Sequence, residues 1–498
     1  MKFLNSQFDS IFALASPPVR SAIHVHRISG QNLLSVLSPY LCVPNSSKAV
    51  PFADLLLKTN GVPITRYVYF KNQQGEVIDD VVVTFFPAPK SYTGEDVFEV
   101  SVHGNPLISA KLHSFLRQLG MRDAQPGEFT QRAVLNGKLD LVQAEGINQL
   151  IHAETFGGVT LARQAVAGVL TQETELIREQ LIGILSYLEA HIDFAPDEVG
   201  DYEPSSLRPQ MQQSMERLLL LLNTYSSGIK LREGVKVALI GKPNAGKSSL
   251  YNALLRYERA IVTHIPGTTR DVLEDRLIID GKDFVLIDTA GIRDTVDVVE
   301  KIGVQRSIQT LGQSDIICLV IDVHQCSTET VTKFIFDQIN ELLQNLTIAS
   351  QQKVLVILSK KDLFSNDIIQ KILQDEAQLF NQLNIPTLDS KAITKKFVII
   401  SEIETENLSR YLVDLHQSLT GFLAKGENPT LISARQRDKV LHAIQYLQEA
   451  ENLINKHDFP EKISSVINFA RQSIQEIVGE INLDQVYEKI FSTFCIGK

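Results

Sequence analysis

Val235-Lys236-Val237-Ala238-Leu239-Ile240-Gly241-Lys242-Pro243-Asn244-Ala245-Gly246-Lys247-Ser248 is the stretch that decides the fold class. Its first part, aliphatic apart from Lys236, reads as a strand. Its second part fits G-x-x-x-x-G-K-[ST]. The pattern lies between that strand and the start of a helix, the context in which it binds phosphate. Gly241 and Gly246 let the backbone approach an anion, and exposed N–H groups and the helix N-terminus then face negative charge. Lys247 is expected to reach the β and γ oxygens of a nucleoside triphosphate, and Ser248 to ligate Mg²⁺.

Downstream, Gly267-Thr268-Thr269-Arg270 places Thr269 to sense Mg²⁺ and the γ-phosphate. Asp288-Thr289-Ala290-Gly291 places a carboxylate to support the metal and the Gly291 N–H on the γ-phosphate. Order and spacing are those of a switch GTPase. Around these motifs the chain alternates strand and helix. Runs at 316–321, 354–358 and 397–400 read as buried strands. Asp280-Gly281 reads as a hairpin turn between 272–279 and 284–287. The expectation is a mostly parallel sheet with helices on both faces, a Ras-like α/β domain over residues 234–424.

Ser359-Lys360-Lys361-Asp362 follows the strand that ends at Leu358. An Asp at 362 can accept two N–H bonds from guanine, which adenine cannot supply, and Lys360 can lie over the base. Asn is usual at 359, and Ser-Ala is usual where Ser401-Glu402 stands, so the base loop is doubly unusual. Ile292 occupies the position where Ras-like enzymes carry a water-orienting Gln. The catalytic carboxylate or amide must then come from elsewhere, and positive charge from an arginine or a cation.

The flanks follow other periods. Residues 1–138 mix β-runs, VIDDVVVTFF at 77–86 and VFEVSV at 97–102, with turns at Pro87, Pro89 and Gly94 and a helix after Pro106. This is an α+β domain. From 139 the spacing is helical: Ile177, Leu181, Ile184, Leu185, Leu188 and Ile192 up to Pro196, then Met211, Met215, Leu218 and Leu222. It returns with Val440, Ile444 and Leu447, then Ile463, Val466, Ala470, Ile474 and Ile477. Neither part is a complete bundle. One helical domain, 139–233 with 425–498, is expected to carry the GTPase domain as an insertion.

Composition bounds the function classes. The formal net charge of -10 argues against a nucleic-acid binder over its whole surface. No run approaches the ~18 apolar residues of a spanning helix. Asn5, Ser6, Gln7, Asp9 and Ser10 break any signal-peptide core. Cys42, Cys318, Cys326 and Cys495 form no CxxC pair and imply neither a disulfide framework nor a zinc site. A cytoplasmic protein without membrane association is expected.

Together these residues resemble the TrmE (MnmE) family of tRNA-modification GTPases, across essentially the whole chain. The carriers are Tyr92-Thr93-Gly94-Glu95-Asp96, Pro126-Gly127-Glu128-Phe129, Leu139-Asp140-Leu141 with Gln143-Ala144-Glu145, Leu231-Arg232-Glu233-Gly234, residues 267–271, and the terminal Phe494-Cys495-Ile496-Gly497-Lys498. The resemblance implies a homodimer formed through the N-terminal domains, which bind 5-formyl- or 5,10-methylene-tetrahydrofolate through Arg27, Glu99, Lys138 and Lys498. It implies a flavoprotein partner, MnmG. With it the family installs a carboxymethylaminomethyl or aminomethyl group on C5 of the wobble uridine of certain tRNAs.

The implied GTP contacts are Asn244, Ala245, Gly246, Lys247, Ser248 and Ser249; Thr263, His264, Ile265, Pro266, Gly267, Thr268 and Thr269; Asp288, Thr289, Ala290 and Gly291; and Ser359, Lys360, Lys361 and Asp362. Hydrolysis is implied to be stimulated by K⁺ held by Asn244, Thr263, Ile265 and Thr268, with Glu300 as the catalytic group. The family's glycines are missing from Pro17-Pro18-Val19-Arg20-Ser21-Ala22-Ile23-His24, and Asn105 stands where a second Gly is frequent. Ile490, Phe491 and Phe494 keep the tail apolar up to Cys495, so it is expected to pack and to bring the Cys495 thiol towards the folate's one-carbon unit. A prenylation box is excluded, since Gly497 is not aliphatic.

Overall fold

The computed structural model describes residues 9–44, 62–257, 274–287, 312, 314–324, 326–344, 352–382, 393–400, 406–421, 428–479 and 490–497. The chain divides into two compact units. One contains Met1–Asn148, Ala165–Glu216 and Asp438–Lys498, and the other Gln149–Gln164 and Arg217–Arg437. Among the described residues no helix is long and apolar enough to cross a membrane. None of the four cysteines is in a disulfide.

The first unit opens with a seven-stranded sheet. Its strands are β1 (Ile11–Leu14), β2 (Ile23–Gly30), β3 (Leu41–Cys42), β4 (Ile64–Lys71), β5 (Val77–Phe86), β6 (Asp96–His103) and β7 (Arg122–Asp123), in the order β3-β4-β5-β6-β2-β1-β7. Pairing is antiparallel except between β1 and β7. Alternation along β5 and β6 sends Val81, Val83, Phe98 and Val100 into a core with Leu112, Phe115 and Leu116 of the helix Pro106–Gln118. That helix has Pro106 in its first turn, and the Asn105 side chain accepts from Leu107 N at 2.9 Å. Asn105 is thus an N-cap.

Two of the sequence motifs are frameworks for this unit. Asp140 and Gln143 form a reciprocal capping box at the start of Leu141–His152, with bonds of 2.7 and 3.0 Å. The buried Glu128 accepts from both Arg122 and Arg132, and Glu95 from Arg132 and Ser29. The helical part packs Val169–Asp193 on Pro460–Val478 through Ile177, Leu181, Ile184, Leu188, Ile463, Ile467, Ala470, Ile474 and Ile477. Ile192, expected in this stripe, is 37% exposed, because the helix ends at Asp193 and Phe194 turns extended. Pro196 therefore does not end that helix; it begins the short helix Pro196–Val199.

The second unit holds a six-stranded sheet. Its strands are β8 (Val235–Ile240), β9 (Glu274–Ile279), β10 (Lys282–Ile287), β11 (Ile316–Asp322), β12 (Lys353–Ser359) and β13 (Ile393–Ile399), in the order β13-β12-β11-β8-β10-β9. All neighbours are parallel except β9 and β10, joined by the Asp280-Gly281 turn. β11 is apolar along its length because both its faces are covered. Cys318 and Val320 enter one core with Leu250, Leu254, Leu408 and Leu412, while Ile317, Leu319 and Ile321 enter another with Val331, Ile335, Ile368 and Ile372. The C-terminal edge of this doubly covered sheet is where an α/β fold binds its ligand.

Candidate functional site

At that edge β8 runs into the phosphate loop. A Cβ at Gly241 would lie 2.2 Å from the Val320 carbonyl oxygen, so only glycine lets the loop pass β11. Asn244 adopts φ 62°, a left-handed conformation that Asn tolerates. The helix Lys247–Tyr257 then starts, with Leu250 and Leu254 anchoring it in the core. A cavity of about 360 Å³ opens over the loop, lined by Asn244, Gly246, Lys247, Ser248 and Ser249 and by Ser359, Lys360 and Ile400. Lys247 Nζ donates to the carbonyls of Gly241 and Lys242, each at 2.8 Å. Burial pushes its pKa below the ordinary lysine value. Ala245 is buried and contributes its carbonyl.

The loop after β12 adjoins the phosphate loop. Ser359, buried, donates from Oγ to the Ala245 carbonyl at 2.6 Å. Lys360 has φ 61°, and its ammonium lies 2.5 Å from Asp322 Oδ2. Burial opposes the Asp322 carboxylate, but Lys360 and the His324 N–H donors outweigh it and hold its pKa below the usual range. Lys361 N donates to Ile400 O at 3.0 Å, which fixes the turn Lys361–Leu363 that carries Asp362. Asp322 was not singled out from the sequence. Its signal was a carboxylate ending a fully apolar strand, in register with Ser359.

In the first unit, β2 and β6 place Arg27 directly opposite Glu99. Arg27 Nε and Nη2 donate to Glu99 Oε1 at 3.1 and 2.8 Å, and Nη1 donates to the Gly497 carbonyl at 3.1 Å. The guanidinium lies 5.4 Å from the Tyr92 ring centroid and 5.8 Å from that of Phe129. The tail reaches this point because Phe491 and Phe494 are buried with Leu141 and Ala144. Gly497, at φ 97°, then lies so close to β1 that an added Cβ would be 2.7 Å from Leu14 O. Cys495 is exposed, and its carbonyl accepts from Gly127 N at 3.5 Å. Lys138 bonds the Pro89 carbonyl at 3.1 Å instead of joining Arg27 and Glu99.

Of the residues singled out from the sequence, Asn244, Ala245, Gly246, Lys247, Ser248, Ser249, Ser359 and Lys360 meet around one cavity or in its wall. Arg27 and Glu99 meet around the tail. Thr263, His264, Ile265, Pro266, Gly267, Thr268, Thr269, Asp288, Thr289, Ala290, Gly291, Glu300 and Lys498 lie outside the described residues.

Comparison with known proteins agrees across both units. Residues 10–138 match the model of the GTP-binding protein TrmE N-terminus, and residues 141–495 match that of the MnmE helical domain. The tRNA modification GTPase MnmE of Aquifex aeolicus (strain VF5) is 35% identical over 494 residues, spanning 98% of this chain and 100% of its own. That of Moorella thermoacetica is likewise 35% identical, spanning 98% and 99%. Among solved structures, a GTP-binding protein from Sulfolobus solfataricus in complex with GDP shares 16% identity over 60% of this chain and 79% of its own, at a TM-score of 0.27. The chain belongs to the MnmE (TrmE) family of tRNA modification GTPases.

Proposed function

We propose that this GTP hydrolase, with a flavoprotein partner of the MnmG type, adds a carboxymethylaminomethyl or aminomethyl group to C5 of the wobble uridine of certain tRNAs. The observation that carries the reading is the convergence of Arg27, Glu99 and Gly497 beside two aromatic rings, in a chain that also holds a phosphate loop. Arg27 spends three of its five N–H donors on Glu99 and Gly497. The remaining two can donate to acceptors on a pterin, and Glu99 beside them can accept from pterin N–H groups. A tetrahydrofolate bound there would supply the one-carbon unit. Lys498 and Cys495 belong to the same proposed site, which Lys138 joins on giving up the Pro89 carbonyl, in a homodimer formed through this domain.

At the nucleotide site, Lys247 holds main-chain oxygens with an ammonium that can serve β and γ oxygens in the same way. Ser248 opens the helix and, with Thr269, has the hydroxyl donors suited to Mg²⁺. Asn244, Thr263, Ile265 and Thr268 offer oxygens suited to K⁺, a fixed positive charge for the transition state, while the water-orienting role that Ile292 cannot fill falls elsewhere. Glu300 is the proposed group that orients water. Asp362 accepts from guanine.

The test is mass spectrometry of wobble uridines from cells lacking the protein. The modified nucleoside should disappear, return with the wild-type chain, and not return with Lys247→Ala. Unchanged wobble uridines in the deletion strain would reject the reading.

A further inference from the structure

Ser359 lines the nucleotide cavity, yet its chemistry is already committed. Its Oγ lies 2.6 Å from the Ala245 carbonyl oxygen and 3.3 Å from that of Ile321. Both partners are acceptors, and a serine hydroxyl carries a single proton. That proton goes to the phosphate loop, with Ile321 sharing it at longer range. What Ser359 still presents to the cavity is lone pairs.

The phosphates decide which edge of a purine would meet those lone pairs. They bind on the N–H groups around Gly246. A Cβ built on Gly246 would lie 3.5 Å from the Ser359 Cβ and Oγ, so residue 359 stands at the phosphate end of the cavity. In an anti nucleotide the imidazole side of the purine, with C8 and N7, is turned towards the 5′-phosphate. The pyrimidine side, with N1 and the 2-amino group, points away. N7 and O6 are acceptors. An acceptor facing a hydroxyl with only lone pairs to give gains no hydrogen bond. The N–H donors of guanine remain for the carboxylate of Asp362, in the turn Lys361–Leu363.

We infer that Ser359 is a positioning residue: it ties the base loop to the phosphate loop and reads nothing on the base. Among the described residues, guanine is then read through its pyrimidine edge by Asp362, and nucleotides altered at N7 are accepted as GDP is. This rests on the assignment of the cavity as a guanine-nucleotide site. An asparagine in place of Ser359 would change the count. The asparagine amide, with two N–H donors, can keep the Ala245 bond and give its second proton to N7.

The experiment is calorimetric titration of the full chain with GDP, 7-deaza-GDP and ADP, for the wild type, Ser359→Ala and Ser359→Asn. In the wild type, GDP and 7-deaza-GDP should bind within twofold of each other. In Ser359→Ala both should weaken by the same factor, because the lost bond holds the loop and not the base. In Ser359→Asn, 7-deaza-GDP should bind about tenfold weaker than GDP, the value of one hydrogen bond. Wild-type binding of 7-deaza-GDP five or more times weaker than GDP would overturn the inference. So would an unchanged ratio in Ser359→Asn, which would put N7 out of reach of residue 359. The guanine assignment fails separately, and takes the inference with it, if ADP binds as tightly as GDP or if GDP does not bind.

Discussion

His26 on β2 is fully buried. Its Nδ1 lies 2.9 Å from His113 Nε2, and its Nε2 lies 3.1 Å from Ser109 Oγ, which His24 Nδ1 also meets at 2.8 Å. Between two imidazole nitrogens one must donate and the other accept, so the two rings cannot both present a proton at this contact. Burial, with repulsion from His113 and His24, pulls the His26 pKa from 6.5 down to about 3. A basic group depressed in the fold stabilises the fold above its unfolded pKa and loses that contribution as pH falls through the interval. The window here runs from pH 6.5 down to about 3. At pH 5 the unfolded ring has gained its proton and the folded one has not. At ~1.4 kcal/mol per pH unit the deficit is ~2 kcal/mol. That figure does not depend on the folded value so long as it lies well below 5.

The consequence is an N-terminal sheet that opens about 30-fold more often at pH 5 than at pH 7.5. Hydrogen-exchange mass spectrometry of peptides covering β2, corrected for intrinsic exchange rates, reads this locally. A local readout is needed because His416 in the other unit, pulled down to about 4 by burial, predicts a parallel loss there. The chain also has no tryptophan to report on one unit. Equal corrected protection of β2 at the two pH values, or an NMR titration of the His26 ring near 6.5, would refute the reasoning.

Three further expectations concern the sites. Asp362→Asn should shift preference from guanine towards xanthine nucleotides, measured by competition against labelled GDP; unaltered preference would remove Asp362 from base recognition. Potassium should accelerate GTP hydrolysis several-fold over sodium at matched ionic strength, and Glu300→Ala should lose most turnover while keeping GDP affinity. Equal rates in the two salts would reject the cation. Gly497→Ala forces a side chain against Leu14 O at a left-handed backbone position, a strain of ~1–2 kcal/mol before the contact is counted. It should move the carbonyl held by Arg27, weaken 5-formyl-tetrahydrofolate binding about tenfold by calorimetry and leave GTP turnover unchanged.

What the sequence revealed and what it hid divide along the range of the interactions. The nucleotide domain was legible because its signals are local: apolar runs became β8, β11, β12 and β13, and the glycine-rich loop is contiguous with its strand and helix. The capping box that starts Leu141–His152 is equally local, but from the sequence Asp140 and Gln143 were legible only as part of the family resemblance. The helix Phe156–Val166 carried no such signal. Its first N–H groups are satisfied by Asp283, 127 residues ahead of Phe156, and Thr155 bonds the carbonyls of Leu231 and Arg232. The Arg27 site is likewise non-local. The opposition of Arg27 and Glu99 is a matter of β2–β6 register, and the Gly497 carbonyl comes from 470 residues away. Only the resemblance to a family placed those residues together in advance.

The same distinction assigns the acidic motif residues to the framework of the first unit and gives a last test. Arg132 is 4% exposed and bridges Glu95 at 3.0 Å and Glu128 at 3.0 Å, themselves 9% and 7% exposed. Glu128 has a second guanidinium in Arg122, whereas Glu95 is left with Ser29 Oγ at 2.6 Å. Ser29 is two residues along β2 from Arg27, so disorder at Glu95 reaches the strand that presents the guanidinium. Arg132→Met keeps most of the volume and removes the charge. It strands a carboxylate in a dry setting, at a cost of ~3–5 kcal/mol. For a unit of this size the melting transition should fall by ~10 °C. The pair Arg132→Met with Glu95→Gln removes the stranded charge and should recover more than half of that loss. Recovery separates an electrostatic cause from a packing one, since the double variant packs no better than the single. If Arg132→Met melts with the wild type, the ionic framework is not what holds β2 in place, and Glu95 must be sought among the ligand contacts instead.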